Sequence, residues 1–366
     1  MNDSSTMILI GVGGAGSATA RGVSRAYGEG LRYILADTDS TTGREGEPFT
    51  LIGGDRLSGH GSGGDFVSAR LAAEESASAL DEHLDGIRIA VVVTGLGGGT
   101  GSGATLEILK HLRDRGTPTV VFATTPFAFE GPTRQQTSRG VMSMIEDAAN
   151  ATFFIPLDKL VGGEDVMEEA FRHAVDTLAS AITLFWRIVE KPGYIRTDAE
   201  RLRHLIAGAG RGRFATVTVK GAKRAADAVE SIVRSPLLTD GNGAVKSILC
   251  GVLSGDDLRL SEVGTVADGL RTAFGEQAAF ELSTVNDEKT FSGRLSIVTM
   301  LFESATGDDA ADPVRGRPAR KQHKARSPLS VGPQGRGRFN NVEPTFWNGE
   351  DLDTPTFIRK NINLDL

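Results

Sequence analysis

The sequence predicts an α/β protein: a parallel-sheet domain joined by a long central helix to a second α/β domain. Three observations predict it. Short apolar runs rich in β-branched residues take turns with helix-patterned segments, the arrangement of a mostly parallel sheet covered on both faces. An apolar stripe at four- and three-residue spacing crosses the middle of the chain unbroken. Two strand-to-helix joints are crowded with glycine, where a flexible linker would be out of place.

The elements follow in order. "MILIG" begins the first strand, and Asp3 stands where a secretion signal would carry positive charge, so the N-terminus reads as strand. "GVGGAGSATARGV" leads from it through Gly11, Gly13, Gly14 and Gly16 into a helix. "LRYILAD", "IRIAVVVTG", "TPTVVFAT" and "ATFFIP" are further strands, separated by the helical segments "VSARLAAEESASALDEHL", "ATLEILKHLRDR" and "TSRGVMSMIEDAA". From Phe171 a long helix carries Val175, Leu178, Ile182, Phe185 and Val189 on one stripe until Pro192 and Gly193 stop it. Beyond it, the strands "FATVTV", "VKSILCGVL" and "LSIVTMLFE" interleave with the helices "AKRAADAVESIVRS" and "SEVGTVADGLRTAF". No internal repeat is present.

With 366 residues, 39% hydrophobic and 24% charged, the chain can bury a real core, and its length suits two domains. Cys250, the single cysteine, rules out an internal disulfide and fits a reducing compartment; in "SILCGVL" it reads as a core thiol. No apolar run approaches the ~18 residues of a membrane span, so a soluble, cytoplasmic body is expected. The six histidines are scattered without ligand-like spacing, which leaves no metal site to propose. Between Pro313 and Val342 the chain carries +8 with no acid, leaving −15 for the remainder of the net −7. Rich in Pro, Gly, Ser and Gln, this stretch reads as a disordered cationic linker, with attraction to a polyanion as the alternative.

The stretch "TGLGGGTGSGAT", Thr94 to Thr105, has six glycines in twelve residues between a strand and a helix. At the C-terminal edge of a parallel sheet, helix starts present unpaired N–H groups and a favourable dipole, so phosphate is the natural guest. Glycine would let its oxygens reach those amides. Two such loops imply a polyphosphate. The first alone matches a dinucleotide-binding fingerprint, and a dinucleotide-dependent oxidoreductase stands as a remote alternative. Thr100 and Ser102 are foreign to that fingerprint, and the absence of GxxxxGK followed by Ser or Thr excludes the lysine-bearing phosphate loop.

"GGGTGSG", Gly97 to Gly103, resembles the signature of the tubulin and FtsZ superfamily. From about Ile8 to Glu303, and again at the C-terminus, the chain is similar to the bacterial FtsZ family of cell-division GTPases. The resemblance implies a tubulin/FtsZ-like fold whose first domain binds nucleotide. It implies phosphate loops at Gly13, Gly14, Gly16 and Ser17, at Asp39 in "DTDS", and at Gly97, Gly98, Gly99, Thr100, Gly101 and Ser102. "GSGGDFVSARLAAEES" would sense the terminal phosphate. Glu130 and Arg134 in "TTPFAFEGPTR" would hold the ribose, and in "AFRHAVDTL" Phe171 would lie on the guanine face with Asp176 on its edge. "SPLL" and "GDDLRLSEV" match the second domain.

Further implications concern organisation and partners. The expected division is a GTP-binding domain over 1–165, a central helix over 166–191, a second α/β domain with the catalytic loop over 192–304, the basic linker over 305–345 and a partner-binding peptide over 346–366. GTP/GDP with Mg2+ are the implied cofactors, and head-to-tail self-assembly at the division site the implied behaviour. Membrane-anchoring or regulatory division proteins would bind Asp353 to Lys360 in "LDTPTFIRK", a catalytic FtsZ paralogue is an open further partner, and specific nucleic acid is not expected.

Elementary chemistry agrees with these roles. A carboxylate satisfies the adjacent N1–H and amine donors of guanine together, which adenine would not offer. An aromatic face adds stacking of about 1–3 kcal/mol per base. From spacing alone, Phe171 could merely open the apolar stripe and Asp176 could be a solvated helix residue. Departures from the family also matter. Ala18 and Leu157 stand where the family usually has asparagine, so two polar contacts are lost at roughly 0.5–1.5 kcal/mol each.

The catalytic loop differs more. "RTDAER", Arg196 to Arg201, occupies the family's "NxDxxD" pattern, whose acids act on the nucleotide of the next subunit. Asp198 remains, Glu200 is neighbouring, and Arg201 replaces the second acid. A guanidinium cannot accept a proton from water, so slow hydrolysis is expected, with Arg196 and Arg201 gripping phosphate across the contact. The alternative is a competent GTPase using Asp198 or Glu200 to position water and Arg201 as a trans arginine, worth ~10³–10⁵ in rate. Plain surface charge is a further reading of both arginines.

Overall fold

The computed structural model describes residues 6–28, 30–161, 166–191, 193–207, 209–239 and 244–303, with the backbone of 346–347 and 350–351. The chain divides into two units, 1–306 and 307–366. In the second, β11 (Phe346–Trp347) pairs antiparallel with β12 (Glu350–Asp351). The anticipated basic linker lies outside the described residues, as does the peptide Asp353 to Lys360.

The first unit alternates strands and helices. In chain order they are β1 (Met7–Val12), α1 (Gly13–Tyr27), β2 (Tyr33–Asp37), β3 (Phe49–Leu51), α2 (Gly54–Leu57), α3 (Phe66–Ser76), α4 (Asp81–Leu84), β4 (Ile89–Gly95), α5 (Thr105–Asp114), β5 (Thr119–Thr125), α6 (Pro132–Ala148) and β6 (Ala151–Pro156). Then follow α7 (Met167–Glu190), α8 (Ala199–Ile206), β7 (Gly210–Lys220), α9 (Arg224–Val233), β8 (Val245–Ser254), α10 (Leu260–Phe274), β9 (Ala279–Asn286), α11 (Glu288–Phe291) and β10 (Arg294–Glu303). Ten strands form one sheet in the order β3-β2-β1-β4-β5-β6-β7-β10-β8-β9. It is parallel from β3 to β7, β10 runs antiparallel to both its neighbours, and β9 returns parallel to β8.

Alternation along the strands builds a core on each face of the parallel part of the sheet, and a further core gathers Ile248, Cys250, Ile297 and Leu301 of β8 and β10 with residues of α9 and α10. Met7 and Leu9 of β1 join Ile89, Val91 and Val93 of β4 under α1 and α7, whereas Ile8, Ile10, Ala90 and Val92 face α3, α5 and α6. Burial on both faces explains why these strands read as continuous apolar runs. The stripe of α7 is buried at Leu178, Ile182, Phe185 and Val189, with Trp186 fully enclosed. Phe171 departs from it: this ring is 42% exposed and is no part of the core.

Several sequence expectations are corrected. The single helix expected over 67–84 is broken: α3 ends at Ser76, Ala77–Leu80 tightens into a 3-10 turn, and α4 follows. The tighter turn re-aims the chain so that Leu80 and Leu84 both reach the core. α7 starts at Met167, one turn before Phe171. β3, α8 and β9 were not anticipated; β3 has three residues, too few to show a period, and β9 is an edge strand with only its last half buried. The stop at Gly193 follows the end of α7, while Pro192 lies outside the described residues.

Cys250 lies inside β8, and burial pushes its thiol pKa up to about 12. A thiol-specific chromogenic reagent should therefore find essentially no reactive group in the native chain at pH 8, and one per chain after denaturation. Rapid labelling of the folded protein would contradict the packing of β8.

Candidate functional site

The C-terminal ends of β1 and β4 each feed a helical start that no side chain caps and whose first turn holds no acid: α1 at Gly13 and a π-helical turn at Thr100–Ala104 ahead of α5. Asp65 caps α3, Asp198 caps α8 and Asp287 caps α11, but α2, α4, α5, α6, α7 and α9 also begin without a side-chain cap, so what sets these two starts apart is that they meet at one end of the sheet. Uncapped amides and two aligned dipoles therefore converge where an anion would complete them. Between them lies a cleft of about 500 Å³ lined by Gly13, Gly14, Asp39, Gly98, Gly99, Thr100, Gly101, Glu130, Arg134 and Phe171.

The glycines divide into two kinds. A Cβ at Gly99 would strike Ser62 Oγ at 2.1 Å, at Gly101 the Gly95 carbonyl at 2.0 Å, and at Gly103 the Phe66 carbonyl at 2.3 Å. These three are glycine because the chain packs against itself. Gly16 belongs with them, its absent Cβ pointing 2.3 Å from the Val93 carbonyl. Gly14 and Gly98, by contrast, face open space within the cleft. Only there does the missing side chain itself leave room for a guest; at Gly16, Gly99, Gly101 and Gly103 internal packing demands glycine, while Gly13, Gly99 and Gly101 still present backbone to the cleft. Gly97 takes φ +96° beside the Arg134 backbone, a conformation suited to glycine alone.

Hydroxyls lock the second loop. Thr94 Oγ1 and Thr105 Oγ1 both donate to the Gly101 carbonyl, at 2.9 and 2.7 Å, and Ser102 Oγ accepts the Gly97 N–H at 2.9 Å. Ser102 is thus a latch within the loop, while Thr100 lines the cleft and shares a 2.7 Å hydrogen bond with Thr38. Ser17 is fully buried in α1, behind the first loop. Asp39 accepts from the Thr41 amide and hydroxyl, which hold its carboxyl below the usual carboxylate range.

At the rim, Arg134 donates to Glu130 at 2.6 Å, and Glu130 also accepts the Phe127 N–H. Phe127 meets Phe171 edge-on at 5.2 Å and rests with Leu157 and Ala174 in a small apolar cluster. Phe171 is thereby held by this ring contact while 42% of its surface stays exposed. An adjoining cleft of about 720 Å³ shares Gly14, Ala15 and Phe171 and adds Ala18, Arg21, Glu47 and Asp176. Asp176 is exposed and has no ion-pair or hydrogen-bond partner among the described residues. Arg21 grips Glu47 through two nitrogens, holding that carboxyl below its ordinary range. Thr38 and the Arg21–Glu47 pair escaped notice in the sequence; the pair is 26 residues apart, and no periodicity announces it.

Asp198, Glu200 and Arg201 line neither cleft. Asp198 accepts the Arg201 N–H at 2.8 Å as the cap of α8. Glu200 lies 3.6 Å from Arg88, the residue just before β4, and Thr6, just before β1, donates to Glu190 at the end of α7. The loop therefore sits at the N-terminal edge of the sheet. The glycine-lined cleft is at the other end of β4, about 20 Å away along seven residues of strand. Among the described residues no group of three or more His, Cys, Asp or Glu could hold a metal ion, and no helix is long and apolar enough to cross a membrane.

Comparison with known proteins agrees with this geometry. Residues 6–163 match the model of the Tubulin/FtsZ family, GTPase domain, and 210–302 that of the FtsZ family, C-terminal domain. The chain is 29% identical over 362 residues to the cell division protein FtsZ of Pseudomonas putida, covering 96% of this chain and 88% of the relative. With that of Pseudomonas aeruginosa it shares 31% over 285 residues, 76% and 72% of the two chains. Among solved structures, a point-mutant FtsZ of M. jannaschii superposes with a TM-score of 0.76 at 25% identity, over 81% of this chain and 91% of that one. CetZ2 from Haloferax volcanii, solved as a GTPγS-bound protofilament, shares the fold with a TM-score of 0.69 at 21% identity, over 83% and 95%.

The two kinds of glycine should separate on substitution. Gly101→Ala should lower stability by about 2 kcal/mol or more in urea denaturation, because its Cβ meets a rigid carbonyl. Gly98→Ala should stay within about 1 kcal/mol of the parent yet weaken binding of a polyphosphate at least tenfold by calorimetry. The reverse order would mean that the cradle faces elsewhere.

Proposed function

The chain belongs to the Tubulin/FtsZ family, on its FtsZ branch, and from that premise we propose a GTP-binding, filament-forming protein of cell division whose nucleotide is sandwiched between successive subunits. One observation carries the reading. The cradle and the loop holding Asp198, Glu200 and Arg201 occupy opposite edges of a single sheet. No side chain spans about 20 Å, so the loop reaches a nucleotide only by meeting the cradle of another copy, head to tail. Exposed apolar groups support such contacts at both ends, Phe129 beside the cradle and Tyr194 beside the loop.

In this reading the amides at Gly14 and Gly98 hold the phosphates, Glu130 and Arg134 the ribose, Phe171 the guanine face and Asp176 its edge. Residues 1–165 act as the GTP-binding domain, 166–191 as the central helix and 192–304 as the second α/β domain. Mg2+ would ride chiefly on the phosphate oxygens, with Asp39 and Thr100 lining the same cleft. Hydrolysis to GDP and phosphate is slow, because the group at position 201 is a cation that cannot accept a proton from water. Glu200, half exposed and 3.6 and 3.5 Å from Arg88 and Arg203, is the acid that a competent GTPase would have to use instead. The C-terminal peptide, Asp353 to Lys360, would recruit anchoring or regulatory proteins to a filament at the division site.

Three measurements test this. Calorimetry with magnesium should detect GTP binding, and Asp176→Ala should weaken it about tenfold or more while leaving the unfolding midpoint unchanged. GTP should raise light scattering strongly with little phosphate released from the same sample; brisk release would remove the slow-hydrolysis reading. Arg201→Asp, combined with Glu281→Gln so that the new acid does not face another, should raise phosphate release per assembled subunit at least tenfold. No gain would show that the missing acid does not limit the rate.

A further inference from the structure

Arg201 is held at one end only. Its Nε donates to Glu281 Oε2 at 2.8 Å, while the side chain as a whole is 65% exposed and its terminal nitrogens have no partner among the described residues. Glu281 is the opposite, 14% exposed on β9, with Oε1 accepting from the hydroxyl of fully buried Thr197 at 3.3 Å. The same strand secures the rest of the loop: Ile195 donates to Thr284 Oγ1 at 3.0 Å, and Thr284 N–H donates to the Ile195 carbonyl at 2.9 Å. Both carboxylate oxygens of Glu281 are thus engaged inside the subunit. Largely buried and already holding both Arg201 and Thr197, it faces inward and is not placed to orient water on a neighbouring nucleotide, so it is not a substitute for the missing acid.

We propose that Glu281 is a positioning residue that anchors Arg201 through Nε and so presents its two terminal nitrogens to the terminal phosphate of GTP held by the next subunit. The inference rests on the head-to-tail reading above. A free arginine gives up several rotamers when it grips an anion, whereas one already fixed at Nε loses few. The fork of Nη1 and Nη2 is also the part of a guanidinium that matches phosphate oxygens in pairs. Glu281 screens some of the arginine's charge, so the contact it supports depends on geometry more than on net attraction. No bond is made or broken by this pair; its effect is on how tightly a GTP-bearing end is held.

The experiment is a double-mutant cycle on the full chain, read as the critical concentration for assembly with a slowly hydrolysed GTP analogue and with GDP. Arg201→Ala and Glu281→Gln should each raise the GTP-analogue value about tenfold, and the double variant should be no worse than Arg201→Ala alone. The GDP values should barely move, so the preference for a third phosphate shrinks by the same factor. A merely structural role for Glu281 would instead raise both values and lower the melting temperature. Wild-type assembly by Glu281→Gln, or a further loss when it is added to Arg201→Ala, would overturn the proposal. GTP-analogue binding to unassembled subunits should be the same in every variant; if the parent chain itself does not bind it, the functional reading fails first and this proposal falls with it.

Discussion

The cradle depends on one close approach. The α-carbon of Gly101 lies so near the Gly95 carbonyl that a methyl group would sit at 2.0 Å from it, and Gly99 and Gly103 press equally hard on Ser62 and Phe66. That contact folds the chain back at the end of β4, so that the π-helical turn starts beside the start of α1. Thr94 and Thr105 then secure the turn through a shared acceptor, the Gly101 carbonyl. Without this compression the two uncapped helical starts would not share one cleft, and neither alone would distinguish a polyphosphate from any passing anion. Rigid packing behind the loop makes its open face available to a guest.

The sheet converts this local feature into a polarity of the whole subunit. Parallel strands have all their C-terminal ends on one edge, which is where the cradle must form. Their N-terminal ends form the opposite edge, and α7 runs between the two, from Phe171 beside the cradle to Glu190 near Thr6. At 1.5 Å per residue, the nineteen residues between them span about 28 Å. A subunit with a cradle on one edge and a capped, arginine-bearing loop on the other has complementary ends that a single copy cannot join. In the proposed head-to-tail reading such a heterologous contact extends as an open filament unless its rotation closes a ring.

Charge is handled economically around that second edge. Arg201, Glu281, Glu200, Arg88 and Arg203 form contacts within the subunit and leave the guanidinium end of Arg201 outermost. Surface pairs of this kind contribute little to stability. Their value lies in orientation, since a cation fixed at one nitrogen meets an anion with less entropy to lose. In the proposed reading, an arginine at position 201 suits the loop to adhesion to phosphate more than to chemistry on water.

Much of this was legible in the chain itself. Strand and helix alternation determined the parallel sheet, because doubly buried strands must be apolar throughout and their crossovers must be amphipathic. The glycine runs at Gly13 and Gly97 to Gly103 marked the loops that line the cleft, whereas Phe171 and Asp176 were singled out only through the family resemblance, since their spacing alone fits an ordinary helix equally well. Tertiary structure alone decided which glycines face the guest and which merely pack, because a missing Cβ has no meaning until its neighbour is known. It alone brought Thr38 to Thr100, Arg21 to Glu47 and Arg201 to Glu281, pairs 62, 26 and 80 residues apart. Contacts of that separation follow from strand order and register, which no local periodicity encodes.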